Sequence, residues 1–183
     1  MPERPSAAAL QAAVTRKLPD VLANDLKVLL VGINPGLYSA AIGHHFGRPG
    51  NRFWTVLAAS GLTPTLLTPY QDRLLPQYGL GVTNIVARTT ARAEELEPEE
   101  LREGARSLAR KVAKHTPKLV AVLGVTAYRA AFARPKAQLG LQPELLANAR
   151  LWVLPNPSGL NAHHQLPDLT RLFAELRVFA FGR

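Results

Sequence analysis

The chain has 183 residues, 47% of them hydrophobic, and 22 Lys and Arg against 13 Asp and Glu give it a formal net charge of +9. This length and composition suit one compact domain. The absence of cysteine excludes a disulfide framework, an iron–sulfur cluster and a thiolate zinc site. No apolar run approaches the ~18 residues of a membrane span, and polar residues interrupt the N-terminus where a signal peptide would be apolar, so we expect a soluble, intracellular protein.

The acidic residues are concentrated in one short segment. Six of the 13 lie between Glu94 and Glu103, where Arg102 is the only basic residue. The rest of the chain is therefore strongly cationic, as a surface that binds nucleic acid must be, because neutralised phosphates release counterions. A basic protein with no nucleic-acid partner would show the same charge.

Short runs of Val, Leu and Ile alternate with segments of helical periodicity. The predicted strands are residues 27–33, 80–86, 118–124 and 151–155. The predicted helices are residues 53–59, 98–115, 126–133 and 167–179. Runs that are apolar throughout are typical of strands buried on both faces of a parallel sheet. The alternation predicts an α/β fold, a three-layer α/β/α sandwich with a central, mostly parallel sheet, formed by residues 26–183 after an N-terminal extension of residues 1–25.

The segment after the first predicted strand, residues 32–54, carries unusual polar residues. It lacks the Gly-x-Gly-x-x-Gly of a dinucleotide site and the Lys-Ser/Thr of a phosphate-binding loop. It offers instead the amide of Asn34, the hydroxyl of Ser39 and the ring of Phe46. Asn34 lies just past the carboxyl end of a parallel strand, where such sheets place functional groups, although Asn is also a common turn former.

A second loop, residues 154–164, follows the last predicted strand. It combines Asn156, Ser158 and Gly159 with an apolar Leu160. On a cationic protein, a leucine at the tip of such a loop could act as a wedge inserted into a base stack. A loop leucine that folds back onto the core is the alternative.

Four sequence blocks occur in the order found in one known family. They are Gly-Ile-Asn-Pro-Gly at 32–36, Asn-Arg-Phe-Trp at 51–54, Gly-Val-Thr-Asn-Ile-Val-Ala-Arg-Thr-Thr at 81–90 and Leu-Pro-Asn-Pro-Ser-Gly-Leu at 154–160. Through them the chain resembles the mismatch-specific uracil-DNA glycosylase and thymine-DNA glycosylase family over most of its length. The resemblance implies DNA base excision repair. Uracil, thymine, ethenocytosine or another modified pyrimidine mispaired with guanine would be flipped out and its N-glycosidic bond hydrolysed, leaving an abasic site.

The resemblance also implies roles for residues around the flipped base. Asn34 matches the asparagine that positions the attacking water, and Asn156 is expected to brace the base or the water. Contacts with the base are expected from Ile33, Ser39, Phe46 and Asn84. Some relatives have lysine where this chain has Asn84. The alternatives are a core role for Phe46 and a helix-capping role for Ser39.

On the DNA side, the resemblance implies a wedge and strand contacts formed by Ser158, Gly159, Leu160 and Asn161. Bacterial relatives commonly carry an arginine where this chain has Ala162. His163, His164, Arg48 or Arg52 could supply that phosphate contact instead. Glu94 or Glu95 could assist as an acid or base, although acidic residues before a helix more commonly stabilise its dipole.

The expected partner is double-stranded DNA that contains a mismatched or damaged base. We expect a monomer that acts in the bacterial cytoplasm, on the nucleoid when bound to DNA. No cofactor is implied, and no metal, because neighbouring His side chains diverge and nothing completes a site. A nucleic-acid-binding protein without catalysis is the alternative, and it would not need Asn34.

Overall fold

The computed structural model describes residues 2–183. In this part of the chain there are six α-helices and five β-strands. The helices are α1 (Ala7–Ala12), α2 (Leu37–Ile42), α3 (Phe53–Ala59), α4 (Pro98–His115), α5 (Val125–Ala131) and α6 (Leu166–Phe181). The strands are β1 (Val28–Gly32), β2 (Leu80–Asn84), β3 (Leu119–Leu123), β4 (Gly140–Leu146) and β5 (Ala149–Leu154). Short 3-10 segments at Ala13–Thr15, Pro69–Tyr78 and Ala93–Glu95 complete the regular structure.

The strands form one sheet in the order β2-β1-β3-β5-β4, in which β4 is antiparallel to β5 and the other pairs are parallel. Helices cover both faces. Residues of α3 and α6, such as Phe53 and Phe173, pack on one face, and residues of α4 and α5, such as Leu108 and Tyr128, pack on the other. The predicted three-layer α/β/α sandwich with a mostly parallel sheet is confirmed.

Helix α4 has the bounds that its sequence predicts. Pro98 is in the first turn, and the Glu97 N–H donates to Glu100 Oε2. Its apolar stripe buries Ala105, Leu108 and Val112 against the sheet.

Strand β4 was not predicted from the sequence. Pro143 lies within it, and its pairing with β5 is irregular between Leu141 and Leu145. Because β4 is an edge strand, a proline without an N–H is tolerated there. Helix α2 and the 3-10 segment Pro69–Tyr78 were also missed, since neither has the length or the apolar periodicity of a buried helix.

The N-terminal residues pack against the rest of the fold. Val21 pairs with Val82 of β2 in an antiparallel bridge. Asp20 accepts a hydrogen bond from Thr83 Oγ1 at 2.7 Å and forms a 2.6 Å ion pair with Lys111. Ahead of these contacts, the short helix α1 is capped by Ser6. Among residues 2–183, the helices are too short or too polar to cross a membrane.

Candidate active site

A cleft of about 850 Å³ opens at the carboxyl ends of the parallel strands. Two loops form most of its wall: the first loop, residues 33–52 between β1 and α3, and the exposed loop, residues 155–165 between β5 and α6. The predicted site residues that line the cleft are Ile33, Asn34, Ser39, Phe46, Asn84, Asn156, Ser158, Leu160 and Asn161. The fold therefore brings together residues from positions 33 to 161, at the edge where parallel sheets bind their ligands.

The orientation of the Asn34 side chain is fixed by its hydrogen bonds. Its Nδ2 donates to the Arg88 carbonyl oxygen at 2.8 Å and to Thr90 Oγ1 at 2.7 Å. Because a carbonyl can only accept, the atom facing it must be the amide nitrogen. Asn34 Oδ1 has no hydrogen-bond partner in the described chain and is not buried. An acceptor atom is thus held ready at the cleft wall.

Asn34 does not behave as a turn former. Its φ is not positive, and its side chain bonds to residues more than 50 positions away rather than to its own turn. The sequence pattern of Asn between Ile and Pro is therefore explained by these contacts with the segment that follows β2.

Thr90 holds this arrangement and was not identified from the sequence. Its side chain is buried, and its hydroxyl donates to the Arg92 carbonyl oxygen at 2.7 Å while it accepts from Asn34. Its N–H donates to the Pro35 carbonyl oxygen at 3.1 Å. Arg88 in turn makes a two-pronged contact with Glu100 at 2.7 and 3.0 Å, and this contact lowers the pKa of the Glu100 carboxyl to about 2. The backbone that orients Asn34 is thereby tied to α4.

Phe46 belongs to both the core and the cleft. Its ring stacks on Phe53, with the centroids 3.9 Å apart, and the half-buried side chain also lines the cleft. Gly32 makes room here, because a Cβ on it would lie 2.5 Å from Asn84 Oδ1 and 3.3 Å from Phe46 Cζ. The core role weighed from the sequence is correct for one face of the ring, and the cleft is open to the rest.

Ser39 is not a helix cap, because Gly36 is the N-cap of α2 and Ser39 lies inside that helix. The buried Ser39 Oγ accepts the Gly47 N–H at 3.0 Å. This bond fixes the return of the first loop next to Phe46. The hydroxyl proton is left over for another acceptor.

Asn84 ends β2 with a half-buried side chain that makes no hydrogen bond in the described chain. Both an N–H donor and a carbonyl acceptor are therefore free at the cleft. The Ile33 carbonyl oxygen, by contrast, accepts the Val86 N–H at 2.9 Å and is used by the fold.

In the exposed loop, Asn156 Oδ1 accepts the Ser158 N–H at 2.9 Å, which is an Asx turn, and Asn161 Nδ2 donates to the Asn156 carbonyl oxygen at 3.0 Å. Asn156 therefore braces this loop. Leu160, at the tip, is 75% exposed. The alternative that Leu160 folds back onto the core is wrong.

Arg52, one of the four candidates for the phosphate contact, is engaged within the protein. Its guanidinium donates to four carbonyl oxygens of the exposed loop, those of Pro157, Ser158, Asn161 and His164. Its donors are therefore largely used within the protein. Gly159 of the exposed loop lies against the first loop, because a Cβ on Gly159 would be 2.6 Å from the Gly50 carbonyl oxygen.

Exposed charges surround the mouth of the cleft. Arg48 and Arg92 line it, and within residues 2–183 neither forms an ion pair. Glu94 also lines the cleft, whereas Glu95 accepts the Arg92 N–H at 2.9 Å. Both acids precede α4 in a separate 3-10 turn rather than in its first turn.

His45 is a second residue that the sequence did not identify as part of the cleft. It is 2% exposed, and burial lowers its pKa. Its ring Nε2 lies 2.8 Å from the Pro19 carbonyl oxygen, so Nε2 carries the proton and the ring is neutral near pH 7. Among residues 2–183, His, Asp and Glu side chains form no cluster of three that could hold a metal ion.

Two comparisons place the chain among known proteins. A model of the uracil DNA glycosylase superfamily matches residues 19–177. The solution NMR structure of a proposed uracil DNA glycosylase from Methanosarcina acetivorans is similar in fold, with a TM-score of 0.54 and 19% sequence identity, and the match covers 88% of this chain and 98% of that one. The superfamily match supports a role as a DNA glycosylase, a hydrolase in DNA repair. With a family match that spans most of its length and all the strands of the sheet, the chain belongs to the uracil DNA glycosylase superfamily.

Proposed function

We propose that this protein is a monofunctional, mismatch-specific uracil-DNA glycosylase that removes uracil paired with guanine and leaves an abasic site. The observation that carries the proposal is the Asn34 side chain, whose amide nitrogen is held by Arg88 and Thr90 while its oxygen stays free at the cleft. Such an oxygen can accept a hydrogen bond from one water molecule and hold it in a defined direction.

Hydrolysis then follows from geometry. The water oxygen forms a bond with C1′ of the deoxyribose, the C1′–N1 bond breaks, and its electron pair leaves with the base as an anion, through an oxocarbenium-like transition state. The water proton passes to solvent or to the departing base. A neutral amide cannot take that proton, and since general-base help is typically worth about 10²–10⁴-fold, the chemical step should be modest in rate.

Other residues that line the cleft suit a flipped pyrimidine. The Phe46 ring, backed by Phe53, offers a surface for stacking. The unpaired amide of Asn84 can donate to a carbonyl oxygen of uracil and accept from its N3–H. Ser39 beside them would lie near the 5-position, where a methyl group would be crowded, so uracil should be preferred to thymine.

The exposed loop is suited to base extrusion. Leu160 at its tip can fill the space left by the flipped base, and unstacking costs least at a mispair. The free cations at the rim, Arg48 and Arg92, are suited to the flanking phosphates. His163, which is exposed in the same loop, is a further candidate where Ala162 offers no charge.

The substrate assignment is tested by single-turnover release of uracil from a duplex with one G·U pair. Two controls carry the same uracil-containing strand, one in a duplex with an A·U pair and one without a complementary strand. We expect faster release from G·U than from A·U, and slower release of thymine from G·T. Tight binding of all duplexes without base release would refute the proposal and favour the non-catalytic nucleic-acid-binding protein.

A further inference from the structure

Arg52 makes an unusual set of contacts for a residue at the start of a helix. Its Nη2 donates to the Ser158 and Asn161 carbonyl oxygens at 2.6 and 3.2 Å, its Nη1 to that of His164 at 2.7 Å, and its Nε to that of Pro157 at 3.4 Å. Its own backbone N–H donates to the Pro157 oxygen at 3.1 Å. The Arg52 side chain thus binds four backbone carbonyl groups along the exposed loop.

These contacts depend on the shape of the guanidinium. A planar fork with five N–H donors can reach carbonyls that lie in different directions, whereas a lysine ammonium on a single stem cannot reproduce that pattern. No carboxylate in the described chain lies within ion-pair distance of Arg52, so its charge is not neutralised by a side chain. Substitution of Arg52 with lysine keeps the positive charge and removes the planar set of donors, so it separates the effect of charge from the effect of geometry.

The same segment also supports the base pocket. Asn51 Oδ1 accepts the Phe53 N–H at 2.9 Å at the start of α3, and the Phe53 ring lies beneath Phe46. Gly159 of the exposed loop packs on the backbone of Gly50 in the first loop, because a Cβ on Gly159 would lie 2.6 Å from the Gly50 carbonyl oxygen. The position of Leu160 is consequently fixed relative to the surface on which a flipped base would stack.

We propose that Arg52 is a positioning residue that holds the exposed loop in the shape needed to insert Leu160 into DNA, so that the wedge is formed before DNA binds. This inference rests on the proposed function for its DNA step, but the loop contacts exist without DNA. A preorganised loop does not have to lose conformational freedom during binding, and the extruded state is favoured accordingly.

The test compares Arg52→Lys with Arg129→Lys. Arg129 is a matched control because it donates from Nε and Nη2 to the Ala137 carbonyl oxygen, at 2.9 and 2.7 Å, and does not line the cleft. The first readout is chymotrypsin cleavage after the exposed Leu160, in the absence of DNA. We expect Arg52→Lys to be cut at least several-fold faster than the wild type, and Arg129→Lys to be cut at the wild-type rate.

The second readout is base extrusion. A duplex carries a non-cleavable 2′-fluoro analogue of the uridine opposite guanine, with 2-aminopurine beside it, and the fluorescence rise at saturating protein is measured. We expect Arg52→Lys to lose most of the rise while binding undamaged duplex with unchanged salt dependence, because the cation is kept. Combined with Leu160→Ala, Arg52→Lys should add little further loss, since both act through the same wedge.

The inference is overturned if Arg52→Lys is cut by chymotrypsin at the wild-type rate and extrudes the base like the wild type. It is also overturned if Arg129→Lys is as defective as Arg52→Lys in both readouts. If lysine preserves extrusion but Arg52→Met abolishes DNA binding, Arg52 acts as a phosphate-binding charge and the positioning role is wrong. If the wild-type protein itself produces no fluorescence rise, the DNA step is refuted together with the proposed function, and the cleavage readout alone decides whether Arg52 holds the loop.

Discussion

The first loop and the exposed loop both follow parallel strands of one sheet, yet they are stabilised in different ways. In the first loop, functional side chains are themselves held: Asn34 by Arg88 and Thr90, and Phe46 by its stack on Phe53. In the exposed loop it is the backbone that is held, by Arg52 and Asn156, while the Leu160 side chain extends 75% exposed into solvent.

This difference matches two different tasks. A group that directs a water molecule needs a fixed orientation, because small misplacements cost large factors in rate. A wedge needs an apolar side chain outside the protein, and only a braced backbone can keep it there. We therefore expect substitutions in the first loop to change the chemical step and substitutions in the exposed loop to change base extrusion.

The largest effect is expected from Asn34→Ala. Removing the side chain that presents a fixed acceptor to the water should lower single-turnover base release from G·U duplex by about 10²-fold, the loss typical when a reacting group is misplaced by about 1 Å. DNA affinity, measured by fluorescence anisotropy, should stay close to that of the wild type. A large loss of affinity with an unchanged rate at saturation would place Asn34 in binding instead.

Leu160→Ala should come next, with about a tenfold loss in the rate of uracil release from duplex, equivalent to roughly 1.4 kcal/mol. The side chain is exposed, so the melting temperature should not change. Stopped-flow fluorescence of 2-aminopurine beside the mispair measures the extrusion step directly. A wild-type extrusion rate in this variant would exclude the wedge role.

Thr90→Val should reduce the rate by a smaller factor, because Asn34 keeps its bond to Arg88 and loses only the one to Thr90. The Arg92 carbonyl oxygen keeps the Glu95 N–H at 3.2 Å as a donor, so loss of the Thr90 hydroxyl bond should cost only about 0.5–1.5 kcal/mol of stability. Thr89→Val is the matched control, since Thr89 is equally buried and its hydroxyl donates to the Arg16 carbonyl oxygen at 3.0 Å. Single-turnover rates and melting temperatures are measured for both variants. If Thr90→Val and Thr89→Val release uracil at equal rates, Thr90 does not orient Asn34.

The smallest expected effect is a dependence of folding stability on pH through His45. Burial lowers the pKa of His45 below its ordinary value of 6.5, so the unfolded chain binds more protons than the folded one as the pH falls below 6.5. Stability should therefore be full above that pH and decrease as the pH falls through the lowered pKa. Melting temperatures from pH 8 to pH 5 measure this, and His45→Gln should flatten the lower part of the curve. A curve that stays flat in the wild type would contradict the assignment.

The sequence predicts a large part of this account. The apolar runs of β1, β2, β3 and β5 and the periodicity of α4 are strong local signals, and the loop residues follow from four short blocks. Strand β4 was missed because Pro143 and an irregular register are acceptable only at an edge. The roles of Thr90 and Arg52 were missed because their contacts join residues about 56 and 106 positions apart, which no spacing pattern shows.

The first loop and the exposed loop are expected to act on different steps of the reaction, and single-stranded DNA separates those steps. Single-turnover uracil release is measured for the wild type, Asn34→Ala and Leu160→Ala, on a G·U duplex and on the same strand without its complement. We expect Asn34→Ala to slow both substrates by similar factors, and Leu160→Ala to slow the duplex far more than the single strand. Equal losses on both substrates for Leu160→Ala, or a loss confined to duplex for Asn34→Ala, would contradict the account.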